Sequence, residues 1–192
     1  WAQRLSYVGE LGFELYIKMN EAKEIYNLIV DKGQEFNLSN CGMHAMDTMR
    51  MESGFLHWGH DISPEENQYE ASLRFAISYK KDVNFIGKEA LIKIKEKKQT
   101  KKFVMLVLEN SRPGEPLLLH DEPIYLEDKI IGRTTSGNYS FNFEKNLAFG
   151  YVSMVQDLEY LNNKNLYIEI EKNKFKATLL SKPLNTKDIK SN

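Results

Sequence analysis

Along residues 4–18, RLSYVGELGFELYIK, aromatic and β-branched positions lie on either side of Gly9 and Gly12, which predicts two strands joined by a short loop. The period then lengthens. Asn20 is placed to cap a helix running to about Lys32, with Ile25, Leu28 and Ile29 on one stripe and Gly33 positioned to end it. A second helix fits Gly42 to Ser53, where Met43, Met46 and Met49 recur at helical spacing and Gly54 follows. From Phe55 to Glu70 the chain is aromatic, polar and broken by Gly59 and Pro64, which predicts a long irregular loop of the kind that more often carries function. Leu73, Phe75, Ile77 and Tyr79 alternate as in a half-buried strand, and Lys88 to Lys98 has the pattern of a short amphipathic helix.

The character changes at KIKEKKQTKK, residues 93–102, which carries six lysines. Beyond it helical signal fades, and six strand candidates follow, separated by Pro, Gly, Asn and Asp turns. They are Phe103–Leu108, Pro123–Leu126, Lys129–Thr135, Leu147–Val155, Leu166–Ile170 and Phe175–Ser181. Many short strands predict an antiparallel barrel or sandwich. The expected class is therefore α+β, with an α+β unit over residues 1–98 and a β domain over 99–192. No internal repeat is visible, and the polar tail from Asn185 to Asn192 is expected to fray.

Composition narrows the function classes. At 192 residues, 42% hydrophobic and 28% charged, the chain can bury a core. Its 26 Lys+Arg against 27 Asp+Glu leave a net charge of -1, with no global field to favour nucleic acid or an anionic membrane. The lysine run lacks the interleaved aromatics of a nucleic-acid patch and reads as a solvated linker. A single cysteine, Cys41, excludes an internal disulfide and suits a reducing compartment, cytoplasm or mitochondrial matrix. No apolar run approaches a membrane span, and Trp1 in place of Met suggests a piece of a longer chain.

The hairpin carries the most chemistry. A four-residue loop from Gly9 to Gly12 sets Val8 opposite Phe13 and Tyr7 opposite Glu14, so that a core-like face holds Val8, Phe13, Leu15 and Ile17. The other face holds Leu5, Tyr7, Glu14 and Tyr16. A carboxylate among aromatics suits a planar heterocycle with two adjacent N–H donors; a solvated strand face with one glutamate is the simpler reading. His57, His60 and Asp61 invite a metal reading, but no second cluster completes the set and His44 would have to arrive from a helix, so no metal is expected. The segment Gly132–Gly137, GRTTSG, lacks the Lys-Ser/Thr of a phosphate loop and is expected to be a turn between strands.

Taken in order, SYVGELGFELYI, GMHAMDTMRMESGFLHWGHDISPEEN, FIGKEAL and EPIYLEDKIIGRTTSGNYSFNFEKNLAFGYV resemble the aminomethyltransferase (glycine cleavage T-protein) family over nearly the whole chain. The likeness extends to the C-terminal folate-binding half of dimethylglycine and sarcosine dehydrogenases. It implies a three-domain cloverleaf around a channel for tetrahydrofolate, of which this chain supplies the end of the α+β part and the barrel. It implies that Tyr7 and Glu14, the Tyr and final Glu of YxGExGxE, bind the pterin. The implied reaction moves a one-carbon unit from an N-methyl amine or aminomethyl donor to folate, whose N5 is the nucleophile, so positioning outweighs any activated side chain. The family's acidic catalytic residue and the FAD domain of the dehydrogenases lie outside this chain, so no catalytic residue is expected in it; FAD enters only with such a domain, and the implied partner is the N-terminal remainder of the same protein.

One departure stands out. Where T-proteins read AARDSLR, the first arginine is replaced by Met46, and Arg50 matches the second. This favours the dehydrogenase branch. Arg50 is a candidate for the carboxylates of a folate tail, with an Asp47–Arg50 pair on one helix face as the commoner explanation. Trp58 and Arg133 complete the folate candidates implied by the family, as an aromatic near the channel and a contact to an anionic group. Two further readings stay open: a non-catalytic relative that binds folate or a protein, and a folate-dependent demethylase.

Overall fold

A computed structural model describes residues 1–81, 83–153, 158–162 and 164–185. The expected tail beyond Asn185 and the end of the strand expected to reach Val155 lie outside the described residues. The elements are β1 (Ala2–Gln3), β2 (Glu14–Leu15), α1 (Met19–Gly33), α2 (Met43–Glu52), α3 (Lys88–Glu96), β3 (Lys101–Leu108), β4 (Pro123–Leu126), β5 (Lys129–Ser140), β6 (Lys145–Ser153), α4 (Leu158–Asn162), β7 (Leu166–Ile170) and β8 (Asn173–Leu180). Among the described residues no helix is long and apolar enough to cross a membrane.

The six later strands close into an antiparallel barrel in the order β3-β6-β5-β4-β7-β8, which settles the choice between barrel and sandwich. Closure leaves no edge open for pairing with another chain. Alternation along β3 sends Val104, Leu106 and Leu108 into the barrel, where they meet Ile124, Ile168 and Val152. The odd-numbered residues Phe103 and Val107 point outward, with Leu147, Phe149 and Tyr151 of β6, into a second core closed by Met51 of α2. Strand β6 is thus buried on both faces from Asn146 to Val152, which explains its continuous apolar run.

The expected turn at Gly132–Gly137 is instead the middle of β5, which pairs with β6 from Gly132 to Ser140 and shifts register between Thr134 and Ser136. Extended backbone is held here by ladder partners on β6, with Gly132 and Arg133 also paired to β4 on the other side. Gly132 is needed for that approach: a Cβ there would lie 1.9 Å from the Tyr151 carbonyl oxygen. Gly132→Ala is expected to destabilise the barrel by about 1–3 kcal/mol through forced strand separation, read as a lower midpoint in urea unfolding.

The N-terminal half departs further from expectation. The hairpin pairs Ala2 with Leu15 and Gln3 with Glu14, so its connection is residues 4–13 and Tyr7 does not face Glu14 across a ladder. Nor is the expected core face buried, since Phe13 is 62% and Leu15 47% exposed. Helix α1 begins after Lys18 without a side-chain cap, rather than at an Asn20 cap, and ends at Gly33 as its pattern implied. Its apolar stripe, Leu28 and Ile29, is exposed. The strand expected over Leu73–Tyr79 is a 3-10 turn, Arg74–Ala76, whose backbone donors are taken locally, Ala76 N–H by Leu73 O at 3.0 Å and Ile77 N–H by Arg74 O at 3.1 Å. Among the described residues no strand pairs with this segment.

Candidate functional site

Helix α2 lies on the outside of β5 and β6, and its buried side is polar. Gly54, at φ +73, ends the helix, and Phe55 N–H returns to Arg50 O at 2.8 Å. The chain then turns tightly through His57–Asp61, where Asp61 N–H bonds His57 O at 2.8 Å, so that Asp61 points back under the helix. There Arg50, 1% exposed, donates to Asp47 Oδ1 at 2.7 Å, to Ser136 Oγ at 2.7 Å, to Phe55 O at 3.2 Å and to Asp61 Oδ2. The Asp61 carboxylate also accepts from Thr135 Oγ1 at 2.6 Å, Ser136 Oγ at 2.7 Å and His57 N–H at 2.9 Å. Further along, Glu52 accepts from Ser140 Oγ at 2.6 Å and Asn142 Nδ2 at 2.8 Å. Among the described residues no buried side-chain nitrogen or oxygen lacks a partner, the condition under which a buried ionic network is tolerated.

The loop 4–13 lies against this junction. Gly9, at φ +71, passes so close to Ser53 that a Cβ would lie 1.8 Å from its Oγ. That passage sets the Tyr7 ring over Phe55, with centroids 6.2 Å apart and planes 17° apart, and lets its hydroxyl donate to Leu56 O at 2.9 Å. Burial pushes the Tyr7 phenol above its ordinary value; Arg50 opposes this, while Asp61 and Asp47 add to it. Tyr7 therefore stays a proton donor at neutral pH. Phe55 and Leu56, with Trp58, Phe75, Phe103 and Leu179, line a mainly apolar cleft of about 910 Å³, within the size range of small-molecule sites.

The five expected ligand residues do not all converge. Trp58 lines the cleft and is 65% exposed, whereas Tyr7 touches the lining residues Phe55 and Leu56 without being among those that line it. Glu14 is partly buried and accepts from Tyr16 Oη at 2.8 Å. Arg50 forms the Asp47 pair and is enclosed, with each guanidinium nitrogen bonded to the protein, which differs from a reach toward a ligand carboxylate. Arg133 stands apart on the barrel, 74% exposed, 3.4 Å from Asp121 Oδ1. Sequence reasoning raised Asp61 only as a metal ligand and missed its role as an acceptor, together with Glu52 and the donors Ser136, Ser140 and Asn142. Their one signal was Thr48 and Glu52 at helical spacing opposite the methionines, a second stripe that was polar and still had to face something.

Beside the cleft junction, Lys101 and both Ser63 N–H and Oγ bond Glu66, the last two at 2.8 and 2.7 Å. Burial pushes the Glu66 carboxyl up, but these donors outweigh it and hold it below its ordinary value of 4.5. A carboxyl lowered by folding contributes stability above its unfolded pKa and loses it as pH falls through the folded value. Glu66→Gln is expected to be less stable than wild type at neutral pH, with the gap closing below 4.5, as measured by denaturant midpoints across acid pH.

These features define an α+β segment docked by a buried ionic network onto a closed six-strand antiparallel barrel. Family models agree on what it is: the GCVT N-terminal domain matches residues 1–81 and the glycine cleavage T-protein C-terminal barrel domain matches residues 101–185. The chain belongs to the aminomethyltransferase (glycine cleavage T-protein) family. It is 36% identical over 183 residues to mitochondrial dimethylglycine dehydrogenase of Homo sapiens, covering 95% of this chain and 20% of that protein. It is 37% identical over 150 residues to an aminomethyltransferase of Symbiobacterium thermophilum, covering 78% of this chain and 39% of that protein. The crystal structure of the glycine cleavage system aminomethyltransferase T from Bartonella henselae shares the fold, with a TM-score of 0.81 at 24% identity over 96% of this chain and 49% of that one. The chain thus spans a fifth to a half of the length of these relatives.

Proposed function

We propose that this chain is the folate-binding portion of a one-carbon-transfer enzyme that passes a methylene group from an N-methyl amine or aminomethyl donor to tetrahydrofolate. The observation that carries the reading is Tyr7: in a sequence that keeps both Tyr7 and Glu14 of YVGELGFE, its ring and hydroxyl are anchored at the Phe55–Leu56 wall of the cleft. The cleft suits a flat heterocycle in size and lining, with Trp58 at its margin. When bound, tetrahydrofolate supplies the nucleophilic N5 that receives the one-carbon unit. The role of this chain is to bind and orient: Tyr7 and Trp58 pack on the flat ring, and the Glu14 carboxylate accepts from N–H donors. Arg50 enters as a positioning residue that holds the 55–61 loop, and Arg133 as an outer contact to an anionic group. The N-terminal remainder of the protein would complete the site, and FAD would belong to a dehydrogenase domain there. Calorimetry with tetrahydrofolate tests the reading. Glu14→Ala should weaken binding by roughly 1.5–3 kcal/mol, and equal affinity for the variant and wild type would defeat the assignment.

A further inference from the structure

Two tyrosines share the aromatic face of the hairpin sequence with Glu14, and it is Tyr16 that reaches the carboxylate in the structure. The Tyr7 hydroxyl is committed to Leu56 O at 2.9 Å. Tyr16 follows Glu14 by two residues, and alternate residues of an extended chain share a face, so the two side chains leave the backbone on the same side. The Tyr16 hydroxyl donates to Glu14 Oε2 at 2.8 Å. The tyrosine is itself fixed from the opposite strand: its N–H donates to Trp1 O at 2.8 Å, Trp1 N donates to its carbonyl at 2.9 Å, and the two rings lie 5.5 Å apart with planes at 33°. The backbone of Glu14 is held in the same ladder, opposite Gln3.

We propose that Tyr16 is a positioning residue, whose hydroxyl presets the Glu14 carboxylate to receive two adjacent N–H donors of the bound heterocycle, a role that rests on the folate reading of Glu14. An ionised carboxylate offers about four acceptor positions on its two oxygens. Tyr16 occupies one on Oε2, which leaves Oε1 and the remaining position of Oε2 for a pair of donors. A free glutamate side chain gives up rotamer freedom when it binds, and a partner that fixes it beforehand removes part of that cost. The bond is charge-assisted, so it is strong enough to hold the carboxylate, while Tyr16, 52% exposed, adds little to the packing of the fold. The phenol responds to the same contact. Its hydrogen bond to Glu14, then the glutamate's charge and then burial push it above its ordinary value of 10.0, so Tyr16 remains a donor at neutral pH.

Calorimetry with tetrahydrofolate on the 192-residue chain compares wild type, Tyr16→Phe, Glu14→Ala and the double variant. Tyr16→Phe should weaken binding about threefold to tenfold while its urea midpoint stays close to that of wild type. In the Glu14→Ala background the same change should have no further effect, since Tyr16 acts through the carboxylate. Equal loss in both backgrounds, or wild-type affinity in Tyr16→Phe while Glu14→Ala binds weakly, would overturn the role of Tyr16 and leave the folate reading standing. Equal affinity in Glu14→Ala and wild type, or no binding by wild type, would defeat the folate reading and this role with it. A ligand-free measurement separates positioning from packing. The tyrosinate absorbance that Tyr16→Phe removes should titrate at lower pH in a Glu14→Gln background than in wild type, and an unchanged titration would mean that the hydroxyl does not engage the carboxylate.

Discussion

Arg50→Met is expected to lower stability by about 3–5 kcal/mol, because it leaves the Asp61 carboxylate buried without its counter-charge. Methionine fills much of the volume, so the loss reports charge and hydrogen bonding more than a cavity. Asp61 has a fully buried side chain and would keep only its neutral donors, Thr135, Ser136 and the His57 amide. The order of related variants separates the causes. Arg50→Lys retains the charge but cannot reach Asp47, Asp61, Ser136 and Phe55 O at once, so it should fall between wild type and methionine. Arg50→Met combined with Asp61→Asn should cost less than the sum of the two single changes, since each removes the other's unpaired charge. Urea unfolding of the four proteins measures this directly. Additive losses would mean that the two groups stabilise the junction independently.

The barrel was legible because its strands follow rules that act locally. Alternation or, in β6, a continuous apolar run marks the strands between turn residues, and turns such as Asn110, Glu127 and Glu144 adopt the positive φ that ends a strand. Strand β5 was read as ending at Thr135, whereas it runs to Ser140, because TTSGNYS looks like a polar turn. Those residues are polar for another reason: Ser136 and Ser140 on β5 serve Arg50, Asp61 and Glu52 across the junction. A hydrophobicity pattern does not distinguish a polar residue facing water from one facing a buried ion pair. The same limit hid the working face of α2, where the spaced methionines drew attention while Thr48, Arg50, Met51 and Glu52 are the buried residues. The hairpin register failed differently. Gly9 and Gly12 were taken to close a tight loop, but the left-handed Gly9 fits the chain against Ser53, a contact more than forty positions away that no local rule contains. Tyr7 was found as a candidate by its motif, while its anchor at Leu56 depended on tertiary structure.

Removal of the Phe149 ring is expected to match Arg50→Met in size and to differ from it in what it loosens. Phe149 is 1% exposed on the outer face of β6, edge-on to Phe103 with centroids 5.2 Å apart. The Arg50 guanidinium carbon lies 5.3 Å from its ring centre, so one aromatic side chain touches both the apolar and the ionic parts of the junction. Phe149→Ala should cost about 3–5 kcal/mol, from lost transfer energy and the cavity left between Met51, Phe103 and Leu147. The barrel interior is a separate cluster built by the inward residues Ala148 and Val152 of the same strand, and the ring does not belong to it. Amide hydrogen exchange should therefore show faster opening of α2 and of the 55–61 turn, while the amides of β7 and β8, on the far side of the barrel order, keep more of their protection. A contrasting change, Ile168→Ala inside the barrel, should cost about 2–5 kcal/mol and lower protection in the strands as well. If Phe149→Ala lowered protection uniformly in helix and strands, the junction and barrel would open as one cooperative unit. The cleft wall at Phe55 and Leu56 would then be only as rigid as the whole fold.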